Sequence, residues 1–156
     1  MNDLIEKFYT SFKNLDAKSM GECYHQNVVF KDPAFGVLRG ERAKAMWEML
    51  CESQHGKGFK VIYSNIKANE NYGSAYWEAY YTFSKTNRKV FNEIEASFEF
   101  RDGLIIKRTD EFCLHKWAKQ ALGIKGIFFG GMQFFKKKLQ RQTNRALDDF
   151  IKKRAV

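Results

Sequence analysis

The stretch Tyr24-His25-Gln26-Asn27-Val28-Val29-Phe30-Lys31-Asp32-Pro33-Ala34-Phe35-Gly36 decides how this chain folds. Val28, Val29 and Phe30 are β-branched or aromatic, so the run into Asp32 reads as a short strand. Pro33 lacks an amide donor and biases Asp32 away from helical backbone. Phe35 and Val37 follow at once, so the chain does not simply run out into water. An acid held at a strand end between apolar neighbours is a candidate for a partly desolvated carboxylate that does acid–base work.

Helical patterns lie before this strand and after it. Leu4, Ile5, Phe8, Phe12 and Leu15 have the spacing of one helical face, with Asn2 or Asp3 as the cap. Asp16-Ala17-Lys18-Ser19 restarts a short second helix, with Met20, Cys23 and Tyr24 inward. Gly36 and Gly40 bracket a small extended turn, and Glu41 to Cys51 predicts a third helix with Ala43, Met46, Trp47 and Leu50 on one side. Four strands then run to about residue 115, separated by turn signals near Asn71-Tyr72-Gly73, Thr86-Asn87-Arg88 and Asp102-Gly103. These are hairpin spacings, so this part of the sheet is expected to be antiparallel. Ile94, Ala96, Phe98 and Phe100 alternate with Glu93, Glu95, Ser97 and Glu99. In the last strand the alternation puts Leu104, Ile106, Arg108, Asp110, Phe112 and Leu114 on one face. Trp117 to Leu122 reads as a further helical turn or two, and Met132 to Arg154 as a long amphipathic helix with Phe135, Leu139, Ala146, Leu147, Phe150 and Ile151 on its apolar stripe. The expected class is α+β: helices on one face of a curved antiparallel sheet.

The chain has 156 residues and a net charge of +9. Residues 1–115 hold 16 basic and 16 acidic residues, whereas residues 116–156 hold 11 basic and 2 acidic ones. The basic character belongs to the C-terminal segment alone, which argues against a domain-wide nucleic-acid surface. The bland reading of that segment is the solvated face of an amphipathic helix, and the sharper ones are contact with an anionic membrane surface through 136–154 or with a nucleic acid. The apolar run Gly126–Phe135 is a candidate lid or dimer contact. Cys23, Cys51 and Cys113 are scattered and form no paired motif, so they are expected to be reduced thiols in a cytoplasmic protein. The amino terminus lacks a signal-peptide pattern, and no stretch reaches the length of a membrane span.

Arg108 and Asp110 stand out because two charges on an apolar strand face are costly unless paired. One reading is a structural ion pair. The other gathers Asp32, Arg108 and Asp110 around one pocket, with Asp32 as general base or acid, Arg108 as an electrostatic clamp and Asp110 as an orienting acid. The candidate pocket wall is aromatic: Phe30, Phe35, Trp47, Trp77, Phe98 and Phe112. Trp77 with Tyr76, Tyr80 and Tyr81 forms an aromatic strand that suits core and dimer-face packing more than direct ligand stacking, with one or two rings available for a pocket wall. His25, His55 and His115 show no metal-ligand spacing, and no phosphate loop, dinucleotide fingerprint or nucleophile elbow is present, so no metal or cofactor is expected.

The order of elements, Asp16-Ala17, Tyr24 to Pro33, Gly40-Glu41, Asp102-Gly103-Leu104-Ile105 and the run from Arg108 to Gly123 resemble the nuclear transport factor 2-like superfamily, and within it SnoaL-like and ketosteroid isomerase-like proteins. The resemblance covers roughly residues 2–123, leaving 124–156 as a basic helical extension packed on the same domain. It implies a cone-shaped sheet wrapped on helices around an apolar pocket, usually in a homodimer packed through the sheet. Asp32 matches the catalytic base of the ketosteroid isomerases. Their oxyanion-holding Tyr and Asp are replaced by Phe8 and Ala96. Asp110 matches the last-strand acid of the superfamily's epoxide hydrolases, whose penultimate-strand Arg-x-Asp is replaced by Glu93-Ile94-Glu95. Many SnoaL-like sequences carry a further acid where this chain has Cys113. The expectation is a protein for a small apolar molecule. It is an isomerase, cyclase or hydrolase using Asp32, a non-catalytic binding protein using the same pocket, or a basic-tail module for anionic surfaces.

Overall fold

Helix α1 (Asn2–Lys13) turns Ile5, Phe8, Tyr9 and Phe12 inward, and these aromatic rings meet Tyr24, Trp47 and Trp77 edge-on, tilted or stacked. The computed structural model describes residues 1–129 and 131–155, without the side chains of Ile127 and Phe129. The run Gly126–Phe135 therefore falls partly outside the described residues. Helix α2 (Ala17–Glu22) starts at Asp16, whose carboxylate accepts the Ser19 amide. Helix α3 (Glu41–Gln54) follows β1 (Tyr24–Asp32) and β2 (Gly36–Arg39) and buries Ala43, Met46, Trp47 and Cys51. Then come β3 (Lys60–Ala68), β4 (Tyr72–Phe83), β5 (Arg88–Arg101) and β6 (Leu104–Glu111).

The six strands form one open sheet in the order β2-β1-β6-β5-β4-β3. The hairpins β3–β4, β4–β5 and β5–β6 are antiparallel as their spacing predicts. Asp102 and Gly103, both at positive φ, make the tight turn of the last hairpin. The sheet is nevertheless mixed, because β1 lies parallel to β6. The segment 36–39 is a true edge strand paired with β1, more than an extended turn.

The uniform alternation expected for the last strand breaks. Glu99 faces Lys107 while its neighbour Phe100 faces Ile105, so β6 carries one extra residue at this point. This β-bulge reverses the phase: Ile105 is buried, and beyond the bulge Arg108 and Asp110 take the inner face. Strand β6 ends at Glu111, and Leu114 opens helix α4 (Leu114–Leu122) instead of extending the strand.

After α4 come α5 (Ile124–Phe129) and α6 (Gln133–Arg154). Gly126 brings α5 hard against the α4 backbone at Ala118, where a side chain would collide. Helix α6 packs back on the body through the buried Leu139 and Leu147, with Phe150 and Ile151 partly buried. Arg42 of α3 reaches both Asn144 and Asp148, and Arg154 pairs with Glu48 and Glu52. Leu147 is the apolar centre of this contact. Leu147→Ala is expected to lower unfolding free energy by about 2–4 kcal/mol in urea titration. A loss below about 0.5 kcal/mol would mean that α6 is not part of the cooperative core.

Candidate active site

Asp32 closes β1, and its Oδ1 accepts the Phe35 amide at 2.6 Å, which folds Pro33-Ala34-Phe35 into the turn before β2. Gly36 sits at φ 75° where this turn re-enters the sheet, and an added Cβ would meet the Gln140 side chain at 3.4 Å. The turn exposes three successive carbonyls. Each accepts a side-chain hydrogen bond from α6: Gln140 Nε2 donates to Pro33 at 3.1 Å, Thr143 Oγ1 to Ala34 at 2.8 Å, and Asn144 Nδ2 to Phe35 at 2.8 Å. The C-terminal helix therefore fixes the backbone that carries Asp32.

Phe30 pairs with Arg108 and Lys31 with Thr109 across the parallel strands, which sets Asp32 beside Asp110. The two acids have different partners. Arg108 has 0% exposed surface and Asp110 has 3%. Arg108 Nε donates to Asp110 Oδ1 at 2.8 Å and Nη2 to Oδ2 at 2.9 Å, a bidentate pair in which both oxygens accept, as a carboxylate does. Nη2 also lies 3.4 Å from the Tyr9 hydroxyl. Nη1 has no hydrogen-bond partner among the described residues, but the guanidinium is enclosed by rings, with its carbon 4.4 Å from the Phe8 centroid and 4.8 Å from Trp47. Burial works against the Arg108 charge. Asp110, with Tyr9 and Tyr24, more than restores it, so its pKa moves up. Burial also raises the Asp110 carboxyl above its ordinary value, and Arg108 opposes the rise.

Among the described residues no cation pairs with Asp32. Burial, reinforced by the Asp110 charge, pushes its carboxyl up to about 7, while the Phe35 and Ala34 amides and Arg108 hold it back. It is half-buried, and it lines a cavity of about 720 Å³. What surface it keeps thus faces the cavity wall, which is why desolvation dominates even though the group is not sealed.

The cavity lining contains Asp32, Asp110, Phe30, Phe35, Trp47, Trp77 and Phe112, so most of the candidates from the sequence converge. Two do not. Phe98 is buried outside the lining, where its ring lies 5.3 Å from the Arg108 guanidinium. Arg108 itself stands behind Asp110 and does not reach the cavity, so it is no clamp on a ligand. It acts through Asp110. Sequence reasoning missed Tyr9, which is fully buried on a helix face wider than the five apolar positions indicated. It also missed the walls from α3, Met46, Met49 and Leu50, and those from α6. Phe8 packs on Arg108 and Ala96 lies opposite Asp110 in register, so neither offers a donor where isomerases hold an oxyanion. Among the described residues no three His, Cys, Asp or Glu side chains gather as a metal site.

Helices capping the inner face of one sheet, with acids at the strand ends and an apolar cavity between, define the nuclear transport factor 2-like architecture. The chain belongs to the SnoaL-like domain family, whose model matches residues 5–108 and so includes Asp32 and Arg108. No curated protein matches the chain in sequence. Among solved structures it is similar to an LEH-like epoxide hydrolase from M. tuberculosis, with 20% identity over 81% of this chain and 90% of that one and a TM-score of 0.62. A polyketide cyclase candidate from Silicibacter shares 20% identity over 76% and 93%, with a TM-score of 0.62. A Catenulispora acidiphila protein of ketosteroid isomerase-like fold, solved with trimethylamine, shares 10% over 76% and 91%, with a TM-score of 0.64. At these identities the likeness is one of fold.

Two outcomes follow from the geometry. Arg108→Leu leaves the Asp110 charge buried without its cation and is expected to cost about 3–5 kcal/mol in denaturant unfolding. The double change Arg108→Leu/Asp110→Leu should recover most of that loss, and a double variant no better than the single one would refute the pairing argument. The folded chain holds the Asp32 proton up to about pH 7, whereas the unfolded chain releases it near 3.8. This contribution to stability is complete below that lower value and is lost as pH rises through about 7. Wild type should therefore lose on the order of 2 kcal/mol more than Asp32→Asn between mildly acidic and mildly alkaline pH. Parallel stability–pH curves for the two proteins would contradict it.

Proposed function

We propose that the chain binds a small, predominantly apolar molecule in this cavity and that Asp32 exchanges a proton with it. The observation that carries the reading is the pair of adjacent acids in one apolar cavity with opposite fates. Asp110 is committed to Arg108 by two hydrogen bonds, while Asp32 has only amide donors among the described residues and its carboxyl is pushed up to about 7 by burial. A carboxyl poised there takes a proton as its carboxylate and returns it as its acid, with little driving force lost in either direction. Asp110 contributes its charge, which raises the proton affinity of Asp32, and Arg108 is a positioning residue that keeps Asp110 ionised and oriented.

The reaction class is a proton transfer within an isomerisation, cyclisation or hydrolysis. The epoxide hydrolase and polyketide cyclase candidate of the same fold support that range. Steroid-type isomerisation is disfavoured, because Phe8 and Ala96 supply no oxyanion donor and the Tyr9 hydroxyl is turned to Arg108. The missing donors at positions 8 and 96 favour, as a second reading, a protein that only holds its ligand.

Proton exchange separates the two readings. Apolar ketones incubated with the protein in heavy water and followed by NMR should exchange their α-hydrogens. Asp32→Asn should slow this by about a hundredfold or more while ligand-induced quenching of tryptophan fluorescence persists. Exchange unaffected by Asp32→Asn removes Asp32 as the base. Binding of the ketones with no exchange by wild type leaves the holding function.

A further inference from the structure

The cavity reaches solvent at a face with an unusual composition. Its exposed lining residues are Ser84 and Lys85 at the β4–β5 turn, Lys125 on α5, and Phe134, Lys138, Gln142 and Ala146 on α6. Beside them in the chain, Ile124 is 72% exposed, Phe128 71%, Phe134 54% and Met132 48%. These are the largest exposed apolar side chains in the C-terminal part of the molecule, with Lys125 among them and Lys136-Lys137-Lys138 directly after them in the chain. Lys85, Lys125, Lys137, Lys138, Arg141 and Arg145 form no ion pair among the described residues. The entire net charge of +9 resides in 116–156, while the preceding body is neutral. Any negative surface would therefore orient the molecule by its C-terminal segment, to which Lys125 and Lys138 at the cavity mouth belong.

We infer that this face docks on an anionic lipid bilayer with the cavity mouth turned toward the hydrocarbon, so that the apolar ligand passes between membrane and cavity. Ile124, Phe128, Met132 and Phe134 enter the interface, and the lysines and arginines around them meet the anionic headgroups. Two-component binding of this kind needs both parts, because a few apolar side chains or a few cations alone hold weakly. Aliphatic Ile124 and Met132 at the surface suit acyl chains. A nucleic acid would gain from cations and stacking rings but nothing from these two. No helix among the described residues is long and apolar enough to cross a membrane, so contact through helices is at the surface. The docking stands on charge and exposure; the passage of ligand rests on the cavity reading above.

The experiment uses the whole chain with vesicles of phosphatidylcholine, alone or containing phosphatidylglycerol, and pyrene as the apolar probe. Cosedimentation at low salt should favour the anionic vesicles by roughly tenfold or more, and high salt should abolish the preference. Ile124→Ser/Met132→Ser and Lys137→Glu/Arg141→Glu should each weaken it by about tenfold with unchanged circular dichroism and melting temperature. Pyrene carried by anionic vesicles should reach the cavity faster than from neutral ones, read as energy transfer from Trp47, Trp77 and Trp117, which line it. Equal binding to both vesicles, or tighter binding to an oligonucleotide that the apolar variant leaves unchanged, overturns the docking. Pyrene uptake from buffer but at equal rates from the two vesicles overturns the passage and spares the cavity reading. Vesicle binding with no pyrene uptake even from buffer overturns the cavity reading and the passage with it.

Discussion

A guanidinium with no exposed surface constrains everything around it. Arg108 satisfies its charge with both oxygens of Asp110 and its faces with rings from α1, α3, β4 and β5. The Trp47 indole then donates to the Tyr24 hydroxyl at 2.9 Å, which ties α3 to β1 in the same cluster. Moving any of these elements outward would leave a buried ion without compensation, a cost of several kcal/mol. The inward phase of β6 beyond its bulge is thus set by one ion pair as much as by its apolar residues. The pair does not make the protein more stable than an apolar core would, since well-packed hydrophobic replacements often match or exceed it. What it does here is hold one carboxylate ionised beside another that pairs with no cation among the described residues.

The second constraint comes from the far end of the chain. A hairpin turn usually leaves its carbonyls to water, but the turn at Asp32 lies under α6 and cannot. Gln140, Thr143 and Asn144 stand at helical spacing on one face, and they supply the three missing donors. Arg42 in turn donates to the Asn144 amide oxygen at 2.9 Å, so the amide is oriented from both sides. The extension is therefore part of the site's support, although its charge marks it off from the rest of the chain.

Much of this was legible in the sequence. Val28-Val29-Phe30-Lys31-Asp32-Pro33 announces its strand and its turn by local chemistry alone, and the alternation from Ile94 to Phe100 declares the inner face of β5 without help. Arg108 and Asp110 were visible as a pair for the same reason. The expected single face of the last strand failed at Ile106, because a bulge is set by the pairing partner and Leu104 to Ile106 are apolar in either phase. The parallel β1–β6 contact was equally out of reach, being a long-range pairing with no local signature. Tyr9 was hidden by its own hydroxyl, which finds its partner only in a residue 99 positions away. The polar face of α6 was legible in principle: Gln140, Thr143, Asn144 and Leu147 share one helical stripe, and amides at core spacing signal buried carbonyls nearby. It was overlooked because the neighbouring lysines dominate that segment's composition.

These pieces bear on how one fold holds an acid near neutrality. Burial raises a carboxyl by desolvating its charge, and a site that must admit a ligand keeps some contact with solvent. Here the desolvation comes from an apolar cavity that remains open at one face, and a second carboxylate in the next strand adds to it. That second charge is tolerable only because Arg108 neutralises it from the side away from the cavity. The sheet order accomplishes the arrangement, with β6 between β1 and β5, so that the cation is walled off by Phe98 and Phe8 while both acids face inward. Placing the cation on the cavity side instead would draw the Asp32 proton off and leave an ordinary ionised acid. The position of Arg108 behind Asp110, more than the presence of two acids, is what distinguishes this site from a buried salt-bridge network.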